Sequence, residues 1–531
     1  MTDQEMLQQV QERIAEEQQG QPSSDGPKLD RHGLPIPKPD FVERCLYANE
    51  LGDGLLFAYL FKGRHAYVGQ ADEWICWSVD LIEKGHRARA DVEHVAQAYY
   101  TTGAHFDRLA KDAERDGDKE SAGRLKAKAE KMKARAARLR TETGRKRCLE
   151  FAKTNLESPL AIAGDEIDRD PWSLPMANGV VDLRTGEMRP GRPDDWLVKS
   201  SPVEWQGIDA PCPHWEHFVT EIMGDDPEMA FGYGVTGLAR EHIFLVLFGR
   251  GRNGKGIMTE VIQTVLGGQN ATTALAGPVQ SEMLLDQGKN RSAAGPSPDI
   301  MSLRGLRIAF ASETDEGQRF SPARVKWFSG GETLTGRYPH DKRNVSFAPT
   351  HLLALLTNHK PHAPASDFAF WERLLLVDFP LSFVDRKPQN ENERPMDKGL
   401  KDRLLQELPG IAAWLVRGCL EWQRVGIAPP AKVREATSEY RRDEDLLADF
   451  VDECCDLQQE GQPEIRSKAS DLYDAFCAWF KRNVSAKKTI SQKAFGKMML
   501  ERFQRERKGG TYYYFGVNVS PHAQLELDQE E

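Results

Sequence analysis

The chain has 531 residues, 40% of them hydrophobic and 29% charged, with a formal net charge of −10. That length exceeds what one hydrophobic core holds, so about three or four domains are expected. No apolar run approaches the ~18 residues needed to cross a bilayer, and the Gln- and Glu-rich start lacks an apolar signal core, so neither a membrane span nor a secretory signal is expected. The eight cysteines include no Cys-x2-Cys pair and no spaced Cys/His set, so neither a zinc site nor a disulfide framework is indicated and reduced cytoplasmic thiols are expected.

Residues 1–40, rich in Gln, Pro, Gly, Ser and Asp, read as a disordered tail. From Phe41 the sequence condenses into an N-terminal α/β-helical region, 41–212, with Leu55–Phe61, Tyr67-Val68, Trp74 and Trp77 supplying a core. Between Ser121 and Arg147, eleven Lys/Arg stand against two Glu on a helix-favouring background. Such a run reads first as a solvated helical face and second as a nucleic-acid contact. Ala177–Glu187 carries two short apolar runs around turn signals and reads as a hairpin.

The segment 213–427 opens with helices and then presents Phe244–Phe248, an apolar strand, followed by Gly249-Arg250-Gly251-Arg252-Asn253-Gly254-Lys255-Gly256-Ile257. Strand, glycine-rich turn, lysine and helix start are the parts of a phosphate loop, in which backbone N–H groups and Lys255 face the phosphates of a nucleoside triphosphate. Gly256 occupies the position where Ser or Thr normally helps hold Mg²⁺. Downstream, Leu306–Ser312 is an apolar strand delivering Glu313, a carboxylate suited to Mg²⁺ and the attacking water. Leu352–Thr357 is a second, ending in Asn358, an amide able to sense the γ-phosphate. The blander readings are an exposed Glu after a buried strand and, for Arg373, a surface pair with Glu372. Between the two strands, Lys326 and Glu332 precede a hairpin whose basic centre spans Arg337, His340, Lys342 and Arg343.

A polar linker, 428–445, leads to a last unit, 446–520, with helices near 469–480 and 491–503 and an aromatic strand, Thr511–Phe515. Helix, helix and β-hairpin is a winged-helix order, with Lys493, Lys497 and Lys508 as candidate DNA contacts. Residues 521–531 form an acidic tail.

Together, Gly-Arg-Gly-Arg-Asn-Gly-Lys255, the Ser312-Glu313-Thr314 strand end, the Gly330-Gly331-Glu332 turn, Thr357-Asn358-His359-Lys360-Pro361 and Trp371–Val377 resemble superfamily-three helicases, in particular the phage and plasmid primase-helicases related to the poxvirus primase-helicase. The resemblance implies a multidomain α/β protein whose AAA-plus-like motor, a parallel sheet flanked by helices, assembles as a hexameric ring. It implies ATP hydrolysis with Mg²⁺ and DNA helicase activity on single-stranded and forked DNA. By residue, it implies Lys255 and residues 249–257 on the nucleotide, Glu313 on metal and water, Asn358 as sensor and Arg373 as an arginine finger for the neighbouring subunit. His340 and Lys342 match the pore hairpin. No Asp-x-Asp pair on a strand marks a polymerising domain, so a separately encoded primase is the expected partner, in the cytoplasm of a bacterial host. The alternative is a nucleotide-gated DNA scaffold, loader or origin-melting initiator with weak hydrolysis, for which Gly256 is the argument.

Overall fold

The computed structural model describes residues 28–69, 72–78, 81–84, 87–154, 160–162, 167–224, 228–268, 273–288, 296–312, 316–339, 344–459, 464–483 and 490–521. They form two compact units: one runs up to Pro211 and adds Gln263–Leu275 and Leu408–Leu420, and the other holds Cys212–Ile262, Ala276–Glu407 and the chain from Glu421.

In the N-terminal unit, the apolar stretch Leu55–Phe61 lies within a helix, Asn49–Phe61, whose Leu55, Leu56, Phe57, Leu60 and Phe61 are buried. The strands His65–Val68 and Glu73–Ser78 form an antiparallel pair that continues to Leu81–Lys84 and, in parallel, to Ala161–Ile162. Two long helices, Arg87–Arg115 and Lys119–Leu139, pack along each other. The turn between them is set by Gly117 at φ +85 and by Asp118, whose side chain caps Ser121 N. Trp74 packs against Phe57, His65 and Tyr67 as a core residue. The expected hairpin is a three-stranded antiparallel sheet, Ser173–Met176, Gly179–Asp182 and Glu187–Arg189. The stretch 263–275 joins this unit because Lys199 Nζ, Ser200 N and Ser201 Oγ donate to the carbonyls of Ala274, Thr273 and Val265.

The basic run is largely consumed internally. Lys126 pairs with Glu114, Lys133 with Asp107, Arg138 and Arg147 with Glu50, and Arg140 with Glu93. Arg135 is buried with Asp53, its Nε 3.0 Å from Oδ1. These ion pairs favour the structural reading of the run over a phosphate-tracking one.

The second unit is built on a five-stranded sheet ordered Leu374–Asp378, Phe244–Phe248, Leu352–Thr357, Ile308–Ser312 and Ala276–Gln280. All its neighbouring pairs are parallel. The Phe244–Phe248 strand is almost entirely buried, as its continuous apolar run requires for a strand covered on both faces. The first of these strands in the chain lies between the last two, so neighbouring connections diverge there. Open parallel sheets bind ligands at such a point, outside the carboxyl ends of the strands. The hairpin expected downstream forms from Leu334–Gly336 and Val345–Phe347, in register Leu334↔Phe347 to Gly336↔Val345.

The C-terminal part has its own apolar cluster, including Phe450, Leu472, Phe476, Trp479, Phe495 and Tyr514. It contains helices Leu446–Cys454, Ala469–Asn483 and Gln492–Leu500 and a three-stranded antiparallel sheet of Arg466–Lys468, Thr511–Phe515 and Arg505–Lys508. Among the described residues, no helix is long and apolar enough to cross a membrane.

Candidate functional site

The site gathers at the carboxyl ends of three adjacent strands. Register puts Phe248 beside Thr357 on one side and Asp378 on the other. Gly249 N then bonds Thr357 O at 3.2 Å, and Phe379 N bonds Phe248 O at 2.8 Å, so the turn leaves the sheet with both flanking strands holding its base.

The turn needs its glycines. A Cβ on Gly249 would lie 2.2 Å from Asn253 Nδ2 and 2.7 Å from Phe379 O. Gly254 sits at φ +86, and a Cβ there would meet Ile222 Cγ2 at 2.9 Å. Gly251 and Arg252 are also at positive φ, +66 and +49. The chain then enters the helix Lys255–Val265, whose first amides are the free donors of a helix start. Asn253 is buried and its Nδ2 lacks a hydrogen-bond partner.

Lys255 is 6% exposed. Its Nζ donates to Gly249 O at 2.6 Å and to Asn358 Oδ1 at 3.4 Å, bringing together two residues 103 positions apart. Burial holds its pKa down at about 8, with Asp378 pulling it partly back up. A cation bonded to the Gly249 carbonyl of its own turn and to the Asn358 side-chain oxygen is poised to exchange them for phosphate oxygens, which supply stronger charge-assisted bonds. The orphan Asn253 donor fits the same anionic group, and a Cβ on Gly251 or Gly256 would meet nothing within 4 Å, which leaves open space beside the turn.

Beside the turn opens a cavity of about 780 Å³, within the range of small-molecule sites, lined by Phe218, Arg252, Ile257, Phe383, Lys401 and Arg403 among others. Of the expected nucleotide-contact residues, Arg252, Asn253, Gly254, Gly256 and Ile257 line it. Gly256 is exposed, and an added Cβ would meet nothing within 4 Å. The nearby Thr259 hydroxyl donates to Gly256 O at 3.2 Å.

Arg373 stands at the opposite end of its strand: its carbonyl accepts from Phe244 N, and its guanidinium reaches His242 O at 3.5 Å. It therefore lies away from Lys255 in its own chain. Glu313 falls outside the described residues, as do His340, Lys342 and Arg343; the strand Ile308–Ser312 is described up to Ser312. Lys326 is tied to Asp367, its Nζ 2.8 Å from Oδ2. Arg337 is half-buried, with its backbone N bonded to Ser297 Oγ. Lys493 and Lys497 are exposed one helical turn apart, and Lys508 is exposed at a strand end. Near Lys508, Arg505 lies 4.6 Å over the Tyr512 ring and Arg507 5.6 Å over it. Asp378 and the cavity wall from Phe383 to Arg403 were not singled out by sequence, because no local pattern links them to the glycine turn.

The family described as "D5 N terminal like" matches residues 54–224. "Putative helicase L207/L206" of Acanthamoeba polyphaga mimivirus is 25% identical over 338 residues, covering 60% of this chain and 34% of the relative. "Putative helicase 022R" of Frog virus 3 is 24% identical over 398 residues, covering 60% of this chain and 40% of that protein. About a third of the chain is thus similar to the D5 N-terminal-like family, and 60% of it is similar to viral proteins named as putative helicases. The chain spans about a third to two-fifths of the length of these two relatives. The apo structure of the NrS-1 C-terminal region aligns with 63% of the chain and 88% of that structure, at 12% identity and a TM-score of 0.32. The matched segment 54–224 covers most of the N-terminal unit and stops before the glycine turn.

Proposed function

We propose that this protein is an ATP-dependent DNA helicase with the glycine turn at 249–254 as its phosphate loop. The observation that carries the reading is the convergence of Lys255 and Asn358 over a strained glycine turn, beside a nucleotide-sized cavity. ATP would be held by the turn backbone and Lys255, with Asn358 positioned toward the γ-phosphate and Glu313 assigned to Mg²⁺ and the attacking water. Arg373, remote from its own Lys255, suits an arginine finger donated to the next subunit of a hexameric ring. The basic hairpin and the C-terminal unit, read as a winged helix with Lys493, Lys497 and Lys508, would contact single-stranded or forked DNA through the backbone. A mobile replicating element is the proposed setting, with a separate primase as partner.

A second reading, a nucleotide-gated scaffold or loader with weak turnover, is favoured by one observation. Gly256 supplies no hydroxyl to Mg²⁺, and the Thr259 hydroxyl is engaged with the Gly256 carbonyl. The deciding experiment is ATP hydrolysis with and without single-stranded DNA, for the wild type and for Lys255→Ala and Arg373→Ala, with oligomeric state followed by light scattering. DNA-stimulated turnover lost in both variants supports the helicase. Tight ATP binding without turnover in the wild type sinks it and supports the scaffold.

A further inference from the structure

The N-terminal unit brings together three side chains that the linear sequence keeps apart. His65 and Cys76 are direct cross-strand partners in the His65–Val68 and Glu73–Ser78 pair. Asp91 comes from the start of the Arg87–Arg115 helix, with its Oδ2 2.8 Å from His65 Nε2. One potential ligand atom from each residue lies within 4.8 Å of the other two. The His65 side chain is 1% exposed, and its Nδ1 is buried without a hydrogen-bond partner. A cavity of about 170 Å³ opens on all three, with His32 and His94 also in its wall.

We propose that His65, Cys76 and Asp91 form a site for a zinc-class divalent cation. Imidazole, thiolate and carboxylate are each zinc ligands, and bonds of about 2.0–2.3 Å around a tetrahedral ion hold ligand atoms about 3.3–3.8 Å apart. The cluster reaches that spacing with movements of about 1 Å. A thiolate and a carboxylate bring two negative charges to offset the dication, and the softness of the thiolate selects zinc over magnesium. Arg87, whose Nε is 3.9 Å from Asp91 Oδ2, has a side chain 57% exposed. Arg64, also in the cavity wall, is committed to the carbonyls of His32 and Gly33. The cavity exceeds the ~30 Å³ that a water occupies, which leaves space for a fourth ligand. Bound there, the ion pins a two-stranded hairpin to the first turns of a long helix, a stabilising role separate from ATP chemistry.

The test is metal content of the purified full chain, followed by replacement with Co²⁺. The expected result is about one zinc per chain retained through gel filtration, and a near-ultraviolet thiolate-to-cobalt charge-transfer band in the cobalt form. Cys76→Ser removes that band and lowers retained zinc at least tenfold, whereas Cys477→Ser changes neither. Chelation lowers the melting temperature of the wild type and leaves Cys76→Ser unmoved. A wild-type chain that retains no zinc, shows no charge-transfer band with Co²⁺ and melts identically with and without chelator overturns the proposal. That result would leave His65 and Asp91 as a buried hydrogen-bonded pair. Because these readouts require no hydrolysis, they stand apart from the fate of the helicase reading.

Discussion

Lys255→Met offers a quantitative test of the turn, because the structure predicts opposite effects on function and stability. In the folded chain the ammonium is 6% exposed, and burial brings its pKa to about 8 from 10.5. At 1.36 kcal/mol per tenfold, holding the charge there costs about 3 kcal/mol at neutral pH. Methionine removes that cost and keeps the side-chain volume, but forfeits the bonds to Gly249 O and Asn358, worth about 1–3 kcal/mol together. The net expectation at pH 7 is a nucleotide-free protein between equal to and about 2 kcal/mol more stable than the wild type. The sign with pH follows from a depressed lysine. The penalty is fully present below pH 8, where Lys255 is charged in both folded and unfolded chains, and is relieved as pH rises from about 8 toward 10.5. Wild-type stability should therefore climb relative to the variant over that window. The assay is urea unfolding of both proteins from pH 7 to pH 10.5, followed by tryptophan fluorescence, with ATP binding measured in parallel. A variant destabilised by more than about 1 kcal/mol at pH 7, or a difference flat with pH, would refute the buried-cation account.

Gly256→Ser should fold normally, since its Cβ has open space, and should raise Mg²⁺ affinity in the presence of ATP severalfold; unchanged metal dependence in titrations of hydrolysis would mean the hydroxyl is not missed. Gly254→Ala should cost about 1–3 kcal/mol and abolish nucleotide binding, because φ +86 and the approach to Ile222 and Phe218 leave no place for a methyl group; calorimetry and nucleotide titration check both. ATP binding near pH 8.5 should take up about half a proton or more as phosphate restores the Lys255 charge, seen as a buffer-dependent enthalpy that disappears in Lys255→Met. In the N-terminal unit, burial raises the Asp53 pKa to about 6 against the pull of Arg135, so its charging destabilises the fold as pH rises from about 4 to 6. Arg135→Met should cost about 3–5 kcal/mol at pH 7, less at pH 4, and adding Asp53→Asn should recover part of it; thermal melts of the single and double variants decide.

Much of the candidate site was legible in the sequence because its signals are local. An apolar run ending in Gly-x-Gly-x-x-Gly-Lys dictates a buried strand and a turn that only glycine can follow. Leu306–Ser312 and Leu352–Thr357 announced strands with polar ends, and both form, over Ile308–Ser312 and Leu352–Thr357. The hairpin after Gly331 was equally readable from its short flanking runs. Sequence also supplied both readings of the basic run 121–147, but only packing chose between them. Its partners Glu50, Asp53, Glu93, Asp107 and Glu114 come from the helices Asn49–Phe61 and Arg87–Arg115, and no periodicity in the run reports them. The order of the sheet is likewise a tertiary matter. Strand register sets Lys255 against Asn358 and within the field of Asp378, which partly offsets the burial that lowers the lysine pKa and gives the site its pH dependence. The meeting of His65, Cys76 and Asp91 follows the same rule, since cross-strand pairing and helix packing create ligand spacing that residue numbers do not carry. Local propensity and turn chemistry determined which residues could do chemistry, and long-range packing decided which of them meet.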